Sequence, residues 1–278
     1  MKALFDKSSL KCSKIVTNSY STSFSLGIKL FAPSIRPAIY AIYGFVRYAD
    51  EIVDSFENYD QSELFKDFVD EYHKSLERKI SLNPIINSFQ EVARHYKLET
   101  YAEDFLKRME ADLYVSDYTT QEDYENYIYG SADVVGLMCL RVFVNNDEEK
   151  FNDLKHAAKH LGSAFQKVNF LRDFKDDTEK LGRSYFPNLS SNALNNVSKK
   201  EIVQDIEQDL HIAYKGIIQL PMESKLGVYI AYRYYLKLLK KLKKADSKKI
   251  ATERIRISNG LKLFILTKSY IRYKLHAF

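Results

Sequence analysis

Residues 162–187 read GSAFQKVNFLRDFKDDTEKLGRSYFP. On a helix turning about 100° per residue, Gly162, Gln166, Asn169, Asp173 and Asp177 fall on one stripe, with Ala164, Val168, Phe170 and Leu171 on its flanks and far side. A solvated face would be rich in Lys and Glu. A glycine, two amides and two carboxylates bordered by apolar side chains instead suit a polar wall inside an apolar cavity. Carboxylates four residues apart repel each other, so a positive group is expected between them.

The rest of the chain fits that helix into an all-α protein. Only nine glycines and five prolines punctuate 278 residues, and 45% of the chain is hydrophobic, enough for a substantial core. Helical patterns cover Ser8–Leu30, broken by the polar run Ser19–Phe24, then Arg36–Phe56, Gln61–Ile80, Pro84–Tyr96, Thr100–Val115 and Gln121–Phe143. Thr120 is placed to cap the last of these ahead of Asp123. Gly130 and Gly136 lie inside it, each costing about 1 kcal/mol relative to Ala, so a close approach or a kink is expected there. The stripe helix runs to about Glu179. Gly182–Ser198 reads as a loop beside the site, and helices over Lys199–Ile218, Met222–Lys244 and Lys248–Lys274 complete the chain. No linker, repeat or composition break divides it, so residues 1–278 read as a single domain.

Composition narrows the setting. Cys12 and Cys139 are too few for a disulfide framework and lack metal-ligand spacing, which suits a reducing, cytoplasmic location. The N-terminus lacks the apolar core of a signal peptide, and no run of about 18 apolar residues exists, so the expectation is a soluble or peripheral protein. The 21 Tyr and 17 Phe suit either plain core packing or an aromatic cavity able to stabilise a carbocation. Net charge is only +5, yet thirteen Lys or Arg stand against Asp246 and Glu253 between Lys237 and Lys274. An anionic lipid surface, a diphosphate or nucleic acid would suit such a segment, and a plain solvated face is the ordinary alternative.

A second constellation lies in AIYGFVRYADEIVD, residues 41–54. Tyr43, Arg47, Asp50 and Asp54 project within about 60° of one another at the border of the apolar face, with Glu51 turned toward solvent. Spacing alone is weak, because Glu63, Asp67 and Glu71 repeat it, as do Glu201, Asp205 and Asp209. The last trio projects onto what reads as a solvated edge. Context separates the two aspartate pairs from these. Two helices presenting Asp-x-x-x-Asp beside an apolar wall suit a diphosphate held through Mg²⁺, which takes oxygen ligands from one or two carboxylates together with phosphate.

These segments resemble the squalene and phytoene synthases, head-to-head prenyltransferases. The resemblance covers nearly the whole chain and rests on STSF (21–24), AIYGFVRYADEIVD (41–54), YIYGSADVVG (127–136), and the Gln166, Asn169, Arg172, Asp173, Asp177 series followed by Gly182, Arg183, Tyr185 and Pro187. It implies the isoprenoid synthase fold, a helical domain around a central apolar cavity. It also implies that Asp50, Asp54, Asp173 and Asp177, with Asn169, bind Mg²⁺ or Mn²⁺ and the diphosphates of two prenyl substrates. Ser21, Ser23, Tyr43, Arg47, Gln166, Arg172, Arg183, Tyr235 and Arg254 or Arg256 then fall among the substrate contacts. Tyr129 and Tyr185 match positions beside the reacting carbons.

Three departures bear on substrate: Thr22 stands where many members have Lys, Tyr20 where some have His, and Asp133 where a Gly is usual. The resemblance implies condensation through a cyclopropyl intermediate, with phytoene from two geranylgeranyl diphosphates as the favoured product. Squalene or dehydrosqualene from farnesyl diphosphate is the alternative, with NADPH needed only for squalene. A non-catalytic relative on the same fold is the runner-up, opposed by the presence of all four aspartates. The oily product and basic C-terminus suit peripheral contact with the inner membrane surface. No nucleic-acid partner is expected, and the assembly is read as a monomer or homodimer.

Overall fold

Helix α3 (Arg36–Ser55) opens with a proline in its first turn and buries Ile39, Ile42, Phe45, Ala49 and Val53 along one side. The computed structural model describes residues 1–115, 118, 120–180, 185–187 and 194–274, and every regular element among them is helical. The others are α1 (Lys2–Tyr20), α2 (Thr22–Ile28), α4 (Gln61–Arg78), α5 (Pro84–Tyr96), α6 (Glu99–Asp112), α7 (Gln121–Ile128), α8 (Val134–Phe143), α9 (Glu148–Lys180), α10 (Asn196–Ile217), α11 (Met222–Lys244), α12 (Ser247–Thr252) and α13 (Asn259–Lys274). Phe45 of α3 stacks on Phe89 of α5 at 3.9 Å and meets Phe68 and Tyr72 of α4 at 5.2 and 5.0 Å. Three helices are thereby locked around one ring.

The polar run near residue 20 ends α1. Ser21 is extended (φ −144°, ψ 103°), and its Oγ accepts the Phe24 amide at 3.2 Å, so the residue that breaks one helix caps the next. Thr120 and Asp123 form the expected reciprocal cap on α7.

The expected long helix 121–143 is interrupted by a π-helical turn, Tyr129–Asp133. The glycines explain how it packs. A Cβ on Gly162 of α9 would lie 2.8 Å from the Ala132 carbonyl oxygen and 3.1 Å from Asp133 Cα, and one on Gly136 would lie 2.9 Å from the Ala158 carbonyl oxygen. Backbone therefore meets backbone where α9 crosses the π turn and α8. The first residue of the polar stripe is glycine because another helix presses against it.

Further sequence expectations need correction. Lys248–Lys274 is two helices separated by residues 253–258; Glu253 is extended (φ −140°, ψ 135°) and ends α12. The break brings Arg254 to the stripe helix. On the edge of α10 expected to be solvated, Glu201 and Asp205 are exposed but Asp209 is buried, pairing with Lys167 Nζ at 2.8 Å and His160 Nδ1 at 2.7 Å, while Asp205 pairs with the same lysine at 2.5 Å. Helical projection missed this because Lys167 and His160 reach across from α9. The loop expected at 182–198 lies mostly outside the described residues, and α10 begins earlier than predicted, with Asn195 capping it through the amides of Val197 and Ser198.

Candidate active site

A cavity of about 310 Å³ lies between α2, α3, α8, α9, α10 and α11. Its walls are almost wholly apolar, formed by side chains such as Phe31, Phe143, Leu161, Ile217, Leu220 and Val228. Tyr43 of α3 and Gln166 of α9 also line it. The acids follow both residues at helical spacing, along α3 to Arg47, Asp50 and Asp54 and along α9 to Asn169, Asp173 and Asp177. Each helix thus carries an apolar wall that becomes a charged cluster within about two turns.

On α3, the Arg47 guanidinium lies 4.4 Å over the Tyr20 ring, donates from Nη1 to Asp50 Oδ2 at 2.7 Å, and donates from Nη2 to Glu51 Oε2. Glu51 is therefore an ion-pair partner of Arg47, contrary to its expected solvent orientation, because the long arginine spans one helical turn to reach it. Asp50 is recessed. Solvent reaches 35% of its side chain, but burial lifts its pKa well above the usual carboxylate range, the neighbouring Asp54 charge adds to the rise, and Arg47 opposes it. Carboxylates crowded this way favour a cation, and their oxygen donors suit a hard divalent ion. Asp112 contributes from α6. Buried there, it accepts from Arg108 Nη2 and from the Tyr118 hydroxyl, both at 2.7 Å, and its charge adds to the rise at Asp50.

On α9, Asp173 is held by two arginines. Arg254 donates from Nε to Oδ1 at 2.7 Å and from Nη2 to Oδ2 at 3.2 Å. Arg172 binds the same carboxylate side-on, with Nε to Oδ1 at 2.8 Å. The positive charge expected beside the stripe is thus supplied by the 253–258 break and by a sequence neighbour. Asn169 Oδ1 accepts the Tyr235 hydroxyl at 3.3 Å, and the Tyr235 ring stacks 3.8 Å from Phe165, another lining residue. Tyr43 stacks at 4.9 Å on Phe24, also in the lining. Burial raises the Tyr43 pKa, and Ser21 and Tyr235 are among the groups acting on it, so α2, α3 and α11 meet at this rim.

Other predicted residues are placed differently. Tyr129 does not line the cavity: its hydroxyl donates to Asp104 Oδ2 at 3.0 Å, and burial followed by that bond pushes its pKa up to about 12. Tyr185 stacks on Phe170 at 4.0 Å and on Tyr118 at 5.7 Å, in an aromatic group that includes Tyr127. Arg256 is exposed, and its carbonyl accepts from Lys241 Nζ at 2.8 Å. Arg183 lies outside the described residues, as does the Ser23 side chain. Asp54 and Asp177 each make a contact within the protein. Sequence reading missed Arg108, Asp112 and Tyr118, a buried polar cluster facing α3, and it missed Gly216, Gly227, Phe31 and Phe143 of the cavity lining, which only packing brings together.

Asp133, where the family pattern has glycine, is buried in the π turn and accepts from Ser163 Oγ at 2.7 Å. Burial pushes its pKa up to about 6, against the pull of Ser163 and Lys159. A folded-state pKa above the unfolded value means the folded chain binds more protons between roughly pH 4 and 6, so this group's contribution to stability falls as pH rises through that window. Asp133→Asn removes the titration. Denaturant unfolding of variant and wild type should therefore shift in the variant's favour by about 1–3 kcal/mol on going from pH 4 to pH 7.5. An unchanged difference would mean that Asp133 is not ionised at a cost.

An all-helical chain around an apolar cavity, with the aspartate pairs on two of the lining helices, shares the isoprenoid synthase fold of its structural neighbours. The sequence model of the squalene/phytoene synthase family matches residues 17–260, and the chain belongs to that family. It is 26% identical to a 4,4'-diapophytoene synthase of Staphylococcus haemolyticus over 84% of this chain and 87% of the relative. It is 28% identical to a 15-cis-phytoene synthase of Synechocystis over 92% of this chain and 83% of the relative. A crystal structure of a dehydrosqualene synthase in complex with a ligand superposes with a TM-score of 0.80 at 20% identity, covering 97% of this chain and 98% of that one, a likeness of fold. The protein is accordingly a phytoene synthase-like prenyltransferase, and its reaction class is head-to-head prenyl condensation. Among the described residues, no helix is long and apolar enough to cross a membrane.

Proposed function

We propose that the chain, acting as one catalytic unit over residues 1–278, condenses two geranylgeranyl diphosphates to phytoene. The observation that carries this reading is the continuity of each acidic helix with the cavity wall: Tyr43 leads to Arg47 and Asp50, and Gln166 leads to Asn169 and Asp173. The apolar wall suits the hydrocarbon chains, and the acidic stretches of the same two helices suit their charged ends.

In this reading Asp50, Asp54, Asp173, Asp177 and Asn169 hold Mg²⁺, or Mn²⁺ in its place. A metal held by these residues would supply positive charge to diphosphate oxygens and so favour the leaving group. Arg47, Arg172 and Arg254 exchange part of their pairing with Asp50 and Asp173 for diphosphate oxygens, which a planar guanidinium binds in bidentate fashion. Ser21, Ser23, Arg183 and Arg256 extend the diphosphate contacts, and Tyr43, Gln166 and Tyr235 orient the first carbons of the prenyl chains. One substrate loses diphosphate to give an allylic cation, which the double bond of the second attacks. Proton loss closes a cyclopropane. Departure of the second diphosphate, rearrangement and a further proton loss give the linear hydrocarbon. The apolar walls exclude water that would quench each cation, and aromatic faces in the lining such as Tyr43 stabilise positive charge; Tyr129 and Tyr185, which the resemblance sets beside the reacting carbons, lie outside that lining.

The alternative product, dehydrosqualene or squalene, would come from two farnesyl chains. It draws on the Phe31 and Phe143 rings, which pack 5.2 Å apart in the cavity wall. Incubation with geranylgeranyl or farnesyl diphosphate in separate tubes, with and without NADPH, distinguishes these outcomes. Phytoene from the C20 substrate, unaffected by NADPH, is expected; hydrocarbon from the C15 substrate alone would overturn the chain-length reading. The enzyme is read as cytoplasmic, as a monomer or homodimer, and as working at the inner membrane surface where its product partitions.

A further inference from the structure

Helix α13 wears its apolar side outward. Ile265 and Ser269 face inward and Leu261 packs against the core, while Leu263, Phe264, Tyr270 and Ile271 are 65%, 60%, 43% and 52% exposed. Projected at about 100° per residue, these four and Thr267 occupy one continuous outward arc of roughly 120°. A helix on a protein surface would ordinarily fill that arc with charge. From Leu263 to Ile271 the charges sit at its borders, and only Lys274, in the last turn, projects into it. Lys268 follows Phe264 at the arc's edge with its Nζ 5.9 Å from the Phe264 ring centroid, and Lys262 packs over Tyr234 at 5.7 Å on the other side.

The charge is of one sign. From Arg254 to the last residue the sequence has six Lys or Arg and no Asp or Glu. At 16 residues the helix is about 24 Å long, short of the roughly 30 Å hydrocarbon core, so it cannot span a bilayer. An outward apolar arc flanked by cations is the arrangement of a helix lying in the plane of a membrane interface, its apolar residues sunk about 5–10 Å and its lysines reaching phosphate. A second copy of this chain would meet the arc with the same positive flanks, and like charges would oppose that contact.

We propose that the outward face of α13 docks the protein on an anionic phospholipid surface through Leu263, Phe264, Tyr270 and Ile271, with Lys268 contacting headgroup phosphates. This deepens, and rests on, the reading that the enzyme works at a membrane surface. Because α11 carries both Gly227, Val228 and Ala231 of the cavity wall and the surface on which α13 packs, docking sets the cavity one helix away from the lipid.

The test is co-sedimentation of the full chain with vesicles of phosphatidylglycerol and phosphatidylcholine, or of phosphatidylcholine alone. Binding is expected to the anionic vesicles at low salt and to weaken as salt is raised. The triple variant Leu263→Ser, Phe264→Ser, Ile271→Ser should lower the partition coefficient at least about tenfold. Lys268→Glu should lower it several-fold on anionic vesicles only. Both should keep wild-type helicity and wild-type turnover of detergent-dispersed substrate, since none of these residues touches the cavity. Absence of vesicle binding, binding that the triple variant leaves intact, or a dimer that the triple variant dissociates would each overturn the proposal. Vesicle binding without hydrocarbon formation would indict the proposed reaction and leave the surface standing, whereas hydrocarbon formation without vesicle binding would do the reverse.

Discussion

Asp50→Asn and Asp173→Asn should each reduce turnover of prenyl diphosphate by about 10²–10³-fold or more, with far-ultraviolet circular dichroism unchanged. Asp50 is the sharper case. Its charge is disfavoured in the metal-free protein by burial and by Asp54, so the isosteric amide removes a strained charge while Arg47 keeps its second partner, Glu51. Any loss of activity is then a loss of ligand-binding chemistry and not of folding. Asp173→Asn leaves Arg172 and Arg254 without their shared carboxylate, so some loosening of the 253–258 segment accompanies the activity loss. If either purified variant consumed prenyl diphosphate at near the wild-type rate with Mg²⁺ present, the site assignment would be wrong.

Phe45→Ala should destabilise the fold by about 3–5 kcal/mol, the range for emptying a buried aromatic site. Phe45 is fully buried and its ring contacts Phe89, Phe68 and Tyr72, so three helices lose a common filler and cannot collapse together onto an alanine. Thermal unfolding should fall by roughly 10 °C for a chain of this size. Because the acids lie on the same helix as Phe45, activity measured well below the new transition should survive if α3 keeps its pitch. A loss under 1 kcal/mol would show that the α3–α4–α5 packing contributes little to stability.

What was legible in the sequence was whatever repeats along one helix. The 3.6-residue period marked α3, α5, α9 and α11 almost to the residue, and it put Gln166, Asn169 and Asp173 on one side of α9, where the structure has them. The Thr120 cap was readable because its partner Asp123 is three residues away. Contacts between distant segments were not. Asp209 projects to the edge of its helix and is buried only because Lys167 and His160 lie on the helix that crosses it. Asp112 is a different case: its partners Arg108 and Tyr118 are four and six residues away, and what the sequence hides is that this cluster faces Asp50 of α3. The break that frees Arg254 to reach Asp173 falls in TERIRIS (252–258), inside the expected helix Lys248–Lys274; Ile257 is instead buried from a non-helical stretch. Gly162 was noticed as part of the stripe, but its reason, the Ala132 carbonyl pressing from the π turn, depends on a neighbour thirty residues earlier.

The central claim is that two prenyl chains are joined at the expense of both diphosphates. The most direct measurement is the ratio of inorganic diphosphate released to hydrocarbon formed when the purified chain is given geranylgeranyl diphosphate and Mg²⁺. The account predicts two diphosphates for each molecule of phytoene, and neither product when Mg²⁺ is chelated. Release of one diphosphate per substrate with prenyl alcohol as the organic product, and no coupled hydrocarbon, would contradict it.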